Sequence, residues 1–515
     1  MKLDELVSAL DGVGELPGPW RRREVTNLVQ DSRKASPGAV FVAVRGFHSD
    51  GHQFISQAVR QGAVAVVAEE NARVEASPDT LLIRVPDSRR ALARLAAKFY
   101  GQPCTKLKVV GITGTKGKTT TSYLVRSILE AAGHRVGLIG TIDYRIGDRI
   151  YPAPNTTPES VDLQALLAEM VEQRAAYCVM EVSSHALALG RTDGCVFEAA
   201  AFTNLAPEHM DFHASMDDYF QAKLRLFTGL GPDKTAVVNK DDARCGEIIQ
   251  RTTARVITYG RSGDADVRPA GPFSYDTTGL RFTADTLLGA IDIESKLVGS
   301  YNVQNILAAA GLGIALGCSR EAIADGIRNM PAVPGRMETV DEGQDFGVVV
   351  DYAHTEESLA ALLRAIGDMG GGRVITVFGC GGDRDRTKRP RMGAAALAGS
   401  GAVIVTSDNP RTEDPLAIIA EIEAGMGSGR RVSGPDGLTA QGRPTPYLVI
   451  PDRAAAINTA IGVARQGDIV VLAGKGHEDY QIVGATKHRF DDREQARTAI
   501  AKLRAKAGAR GAAKA

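Results

Sequence analysis

The stretch KLKVVGITGTKGKTTT, ending at Thr121, constrains this chain more than any other. Its β-branched run, Val109, Val110 and Ile112, has the composition of a buried strand. A glycine-rich turn follows, and TSYLVRSILEAA then repeats apolar residues at helical spacing until Gly133 stops it. Strand, glycine loop and helix cradle phosphate, because backbone N–H groups and the positive end of the helix dipole face the anion. In such a cradle Lys118 reaches the β- and γ-phosphates and the Thr119 hydroxyl holds Mg2+, with Gly114, Thr115, Lys116, Gly117 and Thr120 completing the ATP-binding loop. The usual spacing, G-x-x-x-x-G-K-[ST], would place glycine at Ile112; this chain has a compressed G-x-x-G-K-T instead.

A chain of 515 residues is too long for one core, so roughly three domains are expected. Lys plus Arg equals Asp plus Glu at 61 each, which gives no support for a nucleic-acid or membrane surface. Six scattered cysteines (104, 178, 195, 245, 318, 380) form no C-x-x-C pair, so neither a disulfide framework nor a zinc ribbon is read. No apolar run has transmembrane length, and EVTNLVQDS after Arg21-Arg22-Arg23 is not an export signal. A cytoplasmic location and a monomer are expected.

The expected fold is α/β in three domains. Residues 1–103 alternate short strands (AVFVAV, AVAVVAE, TLLIRV) with helical stretches, forming a small α/β domain that ends at Pro103. Residues 104–335 read as a P-loop ATPase domain with a parallel sheet, its strands at Val136–Gly140, Tyr177–Glu181, Ala200–Thr203 and Thr235–Asn239. Within it, segment 262–300 breaks the rhythm and suggests added antiparallel strands. Residues 336–505 read as a third α/β unit with strands FGVVVDY, RVITVFG, AVIVTS, PYLVI and DIVVLAG, and 506–515 as a frayed tail. The polar clusters follow strand ends, where ligands gather in open α/β sheets.

Taken alone, these clusters leave alternatives open. Asn239-Lys240-Asp241-Asp242 spells the guanine-reading N-x-x-D, but no D-x-x-G lies between Thr119 and Asn239, so a turn after a strand explains it better. Glu181 either holds Mg2+ beside the phosphate loop or caps the next segment. His209 and His213 stand at i, i+4 with Met210 where a zinc protease needs glutamate, leaving a structural pair or a second-metal ligand. Periodicity makes Lys223 a solvated helix lysine. The C-terminal unit concentrates Asp383, Arg384, Asp385, Arg386, Lys388, Arg389, Arg411, His477 and Glu478, either a solvent-facing network or a site for an amino-acid zwitterion. Without a G-x-S-x-G elbow or an activated cysteine, phosphoryl transfer by positioning is the economical chemistry.

ITGTKGKTTT, NTTP at 155–158, EVSSHALALGR at 181–191, NLAPEHMDFH, YFQAKLRLF, YNVQN at 301–305, PGRME at 334–338, DYAH and GKGHE together resemble the Mur ligases over essentially the whole chain. Asp408-Asn409-Pro410-Arg411 resembles the signature of the diaminopimelate-adding members, whose substrate carries a carboxylate that lysine lacks and that Arg411 can pair with. The resemblance implies a Rossmann-like C-terminal domain that brings the amino acid, ATP and Mg2+ as cofactors, and UDP-N-acetylmuramoyl-L-alanyl-D-glutamate and meso-diaminopimelate as substrates. Ser32, Phe47, His48 and Ser49 then match UDP contacts, and Asn155, Thr156, Thr157, Ser183 and Arg191 muramoyl-dipeptide contacts. Leu189 departs from a member with glutamine there. Asn302, Arg336 and Asp351 match adenine and ribose contacts, and Thr119, Glu181 and His209 match metal positions. Lys223 matches a lysine that members carbamylate to N6-carboxylysine, making it a further metal ligand. The catalytic set is then Lys118, Glu181, His209 and Lys223, and the diaminopimelate set Arg384, Asp408, Asn409, Pro410, Arg411, Gly474 and Glu478.

Overall fold

A computed structural model describes residues 1–46, 49–72, 79–276, 279–370, 372–439 and 442–512. Its backbone packs as two compact units: Met1–Ala270 with Ala284–Ile291 and Gln304–Ile327, and Gly271–Thr283 with Asp292–Val303 and everything from Arg328. The fold is α/β throughout, with the central parallel sheet that the sequence predicts.

The first unit holds two sheets. The N-terminal sheet is wholly parallel, in the order Asn27–Val29, Ala39–Val42, Ala65–Glu69, Leu81–Val85. Helix Ser88–Phe99 starts where the Asp87 carboxylate accepts the Arg89 and Arg90 amides. It buries Leu92 and Leu95 in the core with Leu28, Val40 and Val67.

The central sheet has eight strands: Arg255–Tyr259, Thr235–Asn239, Phe197–Phe202, Lys108–Thr113, Tyr177–Glu181, Val136–Ile139, Asp143–Ile146, Arg149–Pro152. The first six are parallel and the last two form an antiparallel hairpin. After Lys108–Thr113 the chain builds one side of the sheet, then crosses to begin the other at Phe197–Phe202. The phosphate loop therefore leaves the sheet at its switch point, flanked by the ends of Tyr177–Glu181 and Phe197–Phe202, where a crevice opens at the strands' C-terminal ends.

In the second unit a seven-stranded sheet runs Glu338–Thr339, Gly347–Asp351, Ile469–Ala473, Val374–Phe378, Ala402–Val405, Pro446–Val449, Arg430–Arg431. Only the first strand is antiparallel. Two apolar layers cover its faces, one around Leu363, Met392 and Ile422, the other around Ile457, Leu472 and Ile500.

Several expectations shift. The strand expected at Ala200–Thr203 is Phe197–Phe202. Segment 262–300 does add antiparallel pairing, Ser274–Asp276 with Gly279 to Arg281. Within the segment expected to fray, residues 506–512 continue the helix Asp492–Ala512. Helix Lys388–Gly399 was not foreseen, because Pro390 argues against a helix; the proline sits in the first turn, where its missing N–H costs nothing.

Candidate active site

The phosphate loop is shaped by what its glycines approach. Gly114 has φ +144°, and a Cβ there would meet Thr203 Oγ1 at 1.9 Å. Gly117, at φ +88°, lies against Asn305, whose Oδ1 would be 2.3 Å from an added Cβ. The end of strand Phe197–Phe202 staples the loop. Thr203 Oγ1 donates to the Lys116 carbonyl (2.6 Å), and Asn204 Oδ1 accepts the Lys116 amide (2.9 Å). Lys116 also pairs with Glu208 (3.0 Å). Lys118 curls onto its own loop, donating to the Gly114 and Thr115 carbonyls, both at 3.0 Å. Thr120 is buried in the first turn of the helix Lys118–Ala131.

Glu181 is fully buried at the end of its strand and does not cap the helix that follows, which Ser183 caps. Oε2 accepts the Thr119 hydroxyl (3.0 Å) and the Thr141 hydroxyl (3.1 Å), while Oε1 accepts the Thr141 amide (2.8 Å). A carboxylate against the loop hydroxyl offers hard oxygen donors suited to Mg2+, which prefers few protein ligands and completes its shell with phosphate and water. Among the described residues no three His, Cys, Asp or Glu side chains form a metal cage.

The expectation of a solvated Lys223 is overturned. Its helix buries one face, leaving Lys223 1 % exposed. Nζ donates to the Gly114 carbonyl (2.9 Å) and lies 4.2 Å from the centre of the Tyr219 ring. Burial pushes its pKa well down, and the Lys118 charge pushes it the same way. His209 stands in a left-handed conformation, φ +60°, with its ring 4.8 Å from that of His185. Desolvation lowers its pKa, opposed by Glu208 and assisted by Lys118 and Lys223, which favours the neutral imidazole. His213 has a different part: its ring nitrogens lie 3.0 Å from Ser184 Oγ and 3.2 Å from Asp218 Oδ2, inside the core.

The expected muramoyl residues gather around the same strand end. The Thr157 hydroxyl donates to the Glu181 carbonyl (2.8 Å) and accepts the Ser183 amide (3.0 Å). Arg191 donates to the Thr157 carbonyl (3.1 Å) and pairs with Glu159 (2.6 Å). Thr156 Oγ1 lies 3.1 Å from Thr141 Oγ1, and the Asn155 carbonyl accepts the Tyr144 hydroxyl. Leu189 ends the short helix Ser184–Ala188. Ser32 and Ser49 line a cavity of about 600 Å³ with Gln30, Asp31, Arg89 and Glu159. Phe47 and His48 lie outside the described residues.

Of the residues expected at the nucleoside, Asp351 spends both carboxylate oxygens on backbone, accepting the Met337 and Ala353 amides at 2.8 Å each. Arg336 stacks on Tyr352 at 4.9 Å, and the Asn302 amide donates to the Val298 carbonyl (2.7 Å). The N-x-x-D motif is structural: buried Asn239 donates to the Thr203 carbonyl, Asp241 accepts the Arg261 and Ser262 amides, and Asp242 accepts the Leu205 amide.

In the second unit the strand ends bring the DNPR and GKGHE segments together. Asn409 Nδ2 donates to Glu478 Oε2 (2.9 Å), and Asn409 Oδ1 accepts from Lys475 Nζ (3.1 Å) and the Ile482 amide (2.9 Å). Lys475, fully buried, also pairs with Glu478 (3.3 Å) and Asp408 (3.6 Å); sequence reading put it in the GKGHE cluster at a strand end but gave it no role. Burial raises the Glu478 pKa and the Asp408 charge adds to this, against the pull of Lys475. Gly474, at φ +115°, lets Asp408 approach: Oδ2 would be 2.8 Å from a Cβ. Pro410 is buried, and Arg411 follows in a left-handed conformation, φ +51°, donating to the Gly382 carbonyl (2.7 Å). Arg384, exposed, borders the same Gly381 as Arg411. Arg389 does not join them; it is buried, holding Glu413 in a bidentate grip (2.8 and 2.9 Å) and Glu421 (2.8 Å).

Family models match in three consecutive blocks: Mur ligase family, catalytic domain, at 24–100; Mur ligase middle domain at 112–313; and Mur ligase, glutamate ligase domain, at 335–476. A UDP-N-acetylmuramoyl-L-alanyl-D-glutamate–2,6-diaminopimelate ligase of Geobacillus thermodenitrificans is 46% identical, over 98% of this chain and 100% of that protein. The chain belongs to the Mur ligase family. A ligase of the same description from Geobacter metallireducens is 47% identical to this Mur ligase, over 94% of this chain and 95% of that one. A solved structure of a ligase so described superposes with a TM-score of 0.71 at 32% identity, covering 98% of this chain and 100% of that one. The fold is also that of a MurF ligase from Thermotoga maritima in complex with ADP, with a TM-score of 0.60 at 18% identity, over 93% of this chain and 97% of that one. This Mur ligase is an ATP-dependent acid–amino-acid ligase.

Proposed function

We propose that this Mur ligase joins meso-diaminopimelate to the D-glutamyl carboxylate of UDP-N-acetylmuramoyl-L-alanyl-D-glutamate, converting ATP to ADP and phosphate, in cytoplasmic peptidoglycan precursor synthesis. The observation that carries the subtype is Arg411, presented at a strand end beside Asn409, Glu478 and Asp408. Carboxylates suited to an ammonium group stand next to guanidinium groups suited to a carboxylate, which is the pattern of an amino-acid zwitterion with an extra acid. Residues 1–103 take the UDP moiety, 104–335 ATP, and 336–505 the amino acid.

The substrate carboxylate attacks the γ-phosphorus, forming an acyl phosphate with ADP leaving. The amine of diaminopimelate then attacks the acyl carbon, and phosphate leaves. Lys118 and the loop amides stabilise the charge on the transferring group. Thr119, Glu181 and His209 are the residues suited to hold Mg2+, which when bound supplies neutralisation of phosphate charge. Carbamylation would turn the Lys223 amine, whose charge burial and Lys118 disfavour, into an anionic oxygen donor.

Purified enzyme given UDP-muramoyl-dipeptide, ATP and either diaminopimelate or L-lysine should release phosphate with the former and far less with the latter. Equal use of lysine, or full ATP turnover without an amine, would sink the reading. Arg411→Ala should raise the KM for diaminopimelate by roughly 10- to 150-fold, from a charge-assisted bond of about 1.5–3 kcal/mol, and leave that for ATP unchanged. An unaltered KM for diaminopimelate would remove Arg411 from the site.

The modification has its own test. With 13C-bicarbonate the wild type should show a carbamate resonance that Lys223→Ala lacks, and short-chain carboxylates should restore part of that variant's activity. No resonance and no rescue would exclude the carbamate.

A further inference from the structure

Two neighbouring loops of the second unit are tied to each other. Residues 379–385 follow strand Val374–Phe378, and residues 406–413 follow its parallel partner Ala402–Val405. Each loop carries one non-glycine residue in the left-handed region, Asp383 at φ +52° and Arg411 at φ +51°. Aspartate tolerates that region better than arginine, but both conformations persist only where the surroundings hold them.

The bonds that hold them run mostly between the loops. Asp383 Oδ1 accepts the Thr412 hydroxyl (2.7 Å) and Oδ2 the Thr412 amide (3.2 Å). The Asp383 amide donates to Glu413 Oε1 (2.6 Å), and the Gly382 amide to the Asn409 carbonyl (2.9 Å). In return the Arg411 guanidinium donates to the Gly382 carbonyl. The loops lie so close that a Cβ on Gly382 would be 1.9 Å from the Pro410 carbonyl oxygen. Buried Arg389 joins them from below, donating to the Gly381 carbonyl (3.2 Å) on one side and gripping Glu413 on the other. Arg411 is also held by the strand Tyr480–Val483: its amide donates to the Ile482 carbonyl (3.1 Å) and its carbonyl accepts the Gly484 amide (2.7 Å).

The Asp383 carboxylate has a particular place in this lattice. It fixes the residue just before Arg384 to the residue just after Arg411. Both arginines border Gly381, where an added Cβ would lie 3.0 Å from Arg411 Nη1 and 3.8 Å from Arg384 Cγ. Two guanidinium groups on separate loops are thus given one spacing. Planar forks recognise carboxylates only at a matched separation and angle, so that spacing is itself a selective quantity.

We propose that Asp383 is a positioning residue for amino-acid specificity: through Thr412 it sets Arg384 against Arg411, so that the pair favours an amino acid with a second carboxylate over one whose side chain ends in an amine alone. The inference rests on the assignment of this site to diaminopimelate. It requires no contact between Asp383 and the substrate.

The test is steady-state kinetics of the full chain with UDP-muramoyl-dipeptide, ATP and either diaminopimelate or L-lysine. Asp383→Gly removes the carboxylate and leaves the left-handed backbone unstrained. It should raise the KM for diaminopimelate by about five- to tenfold, leave that for ATP unchanged, and lower the preference for diaminopimelate over lysine by a similar factor. Asp383→Asn keeps one acceptor and tolerates the same backbone, so it should recover part of the loss. Thr412→Val should shift the preference in the same direction but less, and adding it to Asp383→Gly should cost little more, because the bond is already gone. Should Asp383→Gly fail to fold, Asp383→Asn and Thr412→Val carry the comparison. A merely structural role would lower kcat with both amines alike and leave the preference intact. That result, or fully additive losses in the double variant, would overturn the proposal. A wild type that shows no preference for diaminopimelate would overturn the site assignment and this inference with it, and that failure is seen before any variant is made.

Discussion

Lys118→Ala is expected to lower kcat by about 10²–10³-fold, the size of effect seen when one donor to developing transition-state charge is removed. Its ammonium already bonds two loop carbonyls, so it is positioned before any nucleotide arrives. Reaching the phosphates requires only that it exchange neutral acceptors for anionic ones, and charge-assisted bonds are roughly twice as strong. The exchange gains most when charge builds on the transferring phosphoryl group, so kcat should fall more than KM for ATP rises. The helix itself should survive, because Lys118 is its first residue and alanine favours helix. Steady-state kinetics with circular dichroism decide the matter. A kcat within tenfold of wild type in folded protein would mean that the loop amides and metal suffice without Lys118.

Arg453→Met is expected to destabilise the second unit by about 3–5 kcal/mol, the cost of stranding a buried charge. Arg453 and Asp492 are both wholly shielded, joined at 2.6 and 2.8 Å. Arg453 also donates to the Ala473 carbonyl (3.0 Å), immediately before Gly474. The pair thus fixes the starts of two helices against the strand that delivers GKGHE. Amide hydrogen exchange should show lost protection in Ile469–Ala473, and urea should unfold this unit at lower concentration. Replacing Asp492 by leucine as well should recover most of the loss, because an apolar pair leaves no charge unmatched. Unchanged exchange in Ile469–Ala473 would show that the ion pair does not hold that strand.

What could be read from sequence was what lies close together in it. Gly114 to Thr120 are contiguous, and their chemistry follows from one turn. Most strands of both large sheets announced themselves by β-branched runs, Tyr177–Glu181 and Thr235–Asn239 to the residue. Lys223 could not be read, because helix periodicity gives a face but not the depth at which that face packs. The roles of Lys475 and Arg453 were invisible for the opposite reason: charged residues default to solvent, and only the partners Glu478, Asp408 and Asp492 reveal why they are inside. Arg389 was left open between a solvent-facing network and a zwitterion site; it is buried, because Glu413, just before helix Pro415–Glu423, and Glu421 within it both pair with it. The terminal hairpin of the central sheet, Asp143–Pro152, passed unnoticed because it lacks a strongly apolar run.

One residue of the central sheet acts as a common datum. Glu181 touches the phosphate loop through its carboxylate, at Thr119, and the proposed acceptor strip through its carbonyl, at Thr157. Under the proposed function, phosphoryl donor and acceptor are both referenced to this single Cα. Displacements of the sheet carry both sides together, so common-mode motion cancels in the one interval that matters. Where an ångström of misplacement can cost two orders of magnitude in rate, such cancellation lets the sheet vibrate without detuning the chemistry proposed for it.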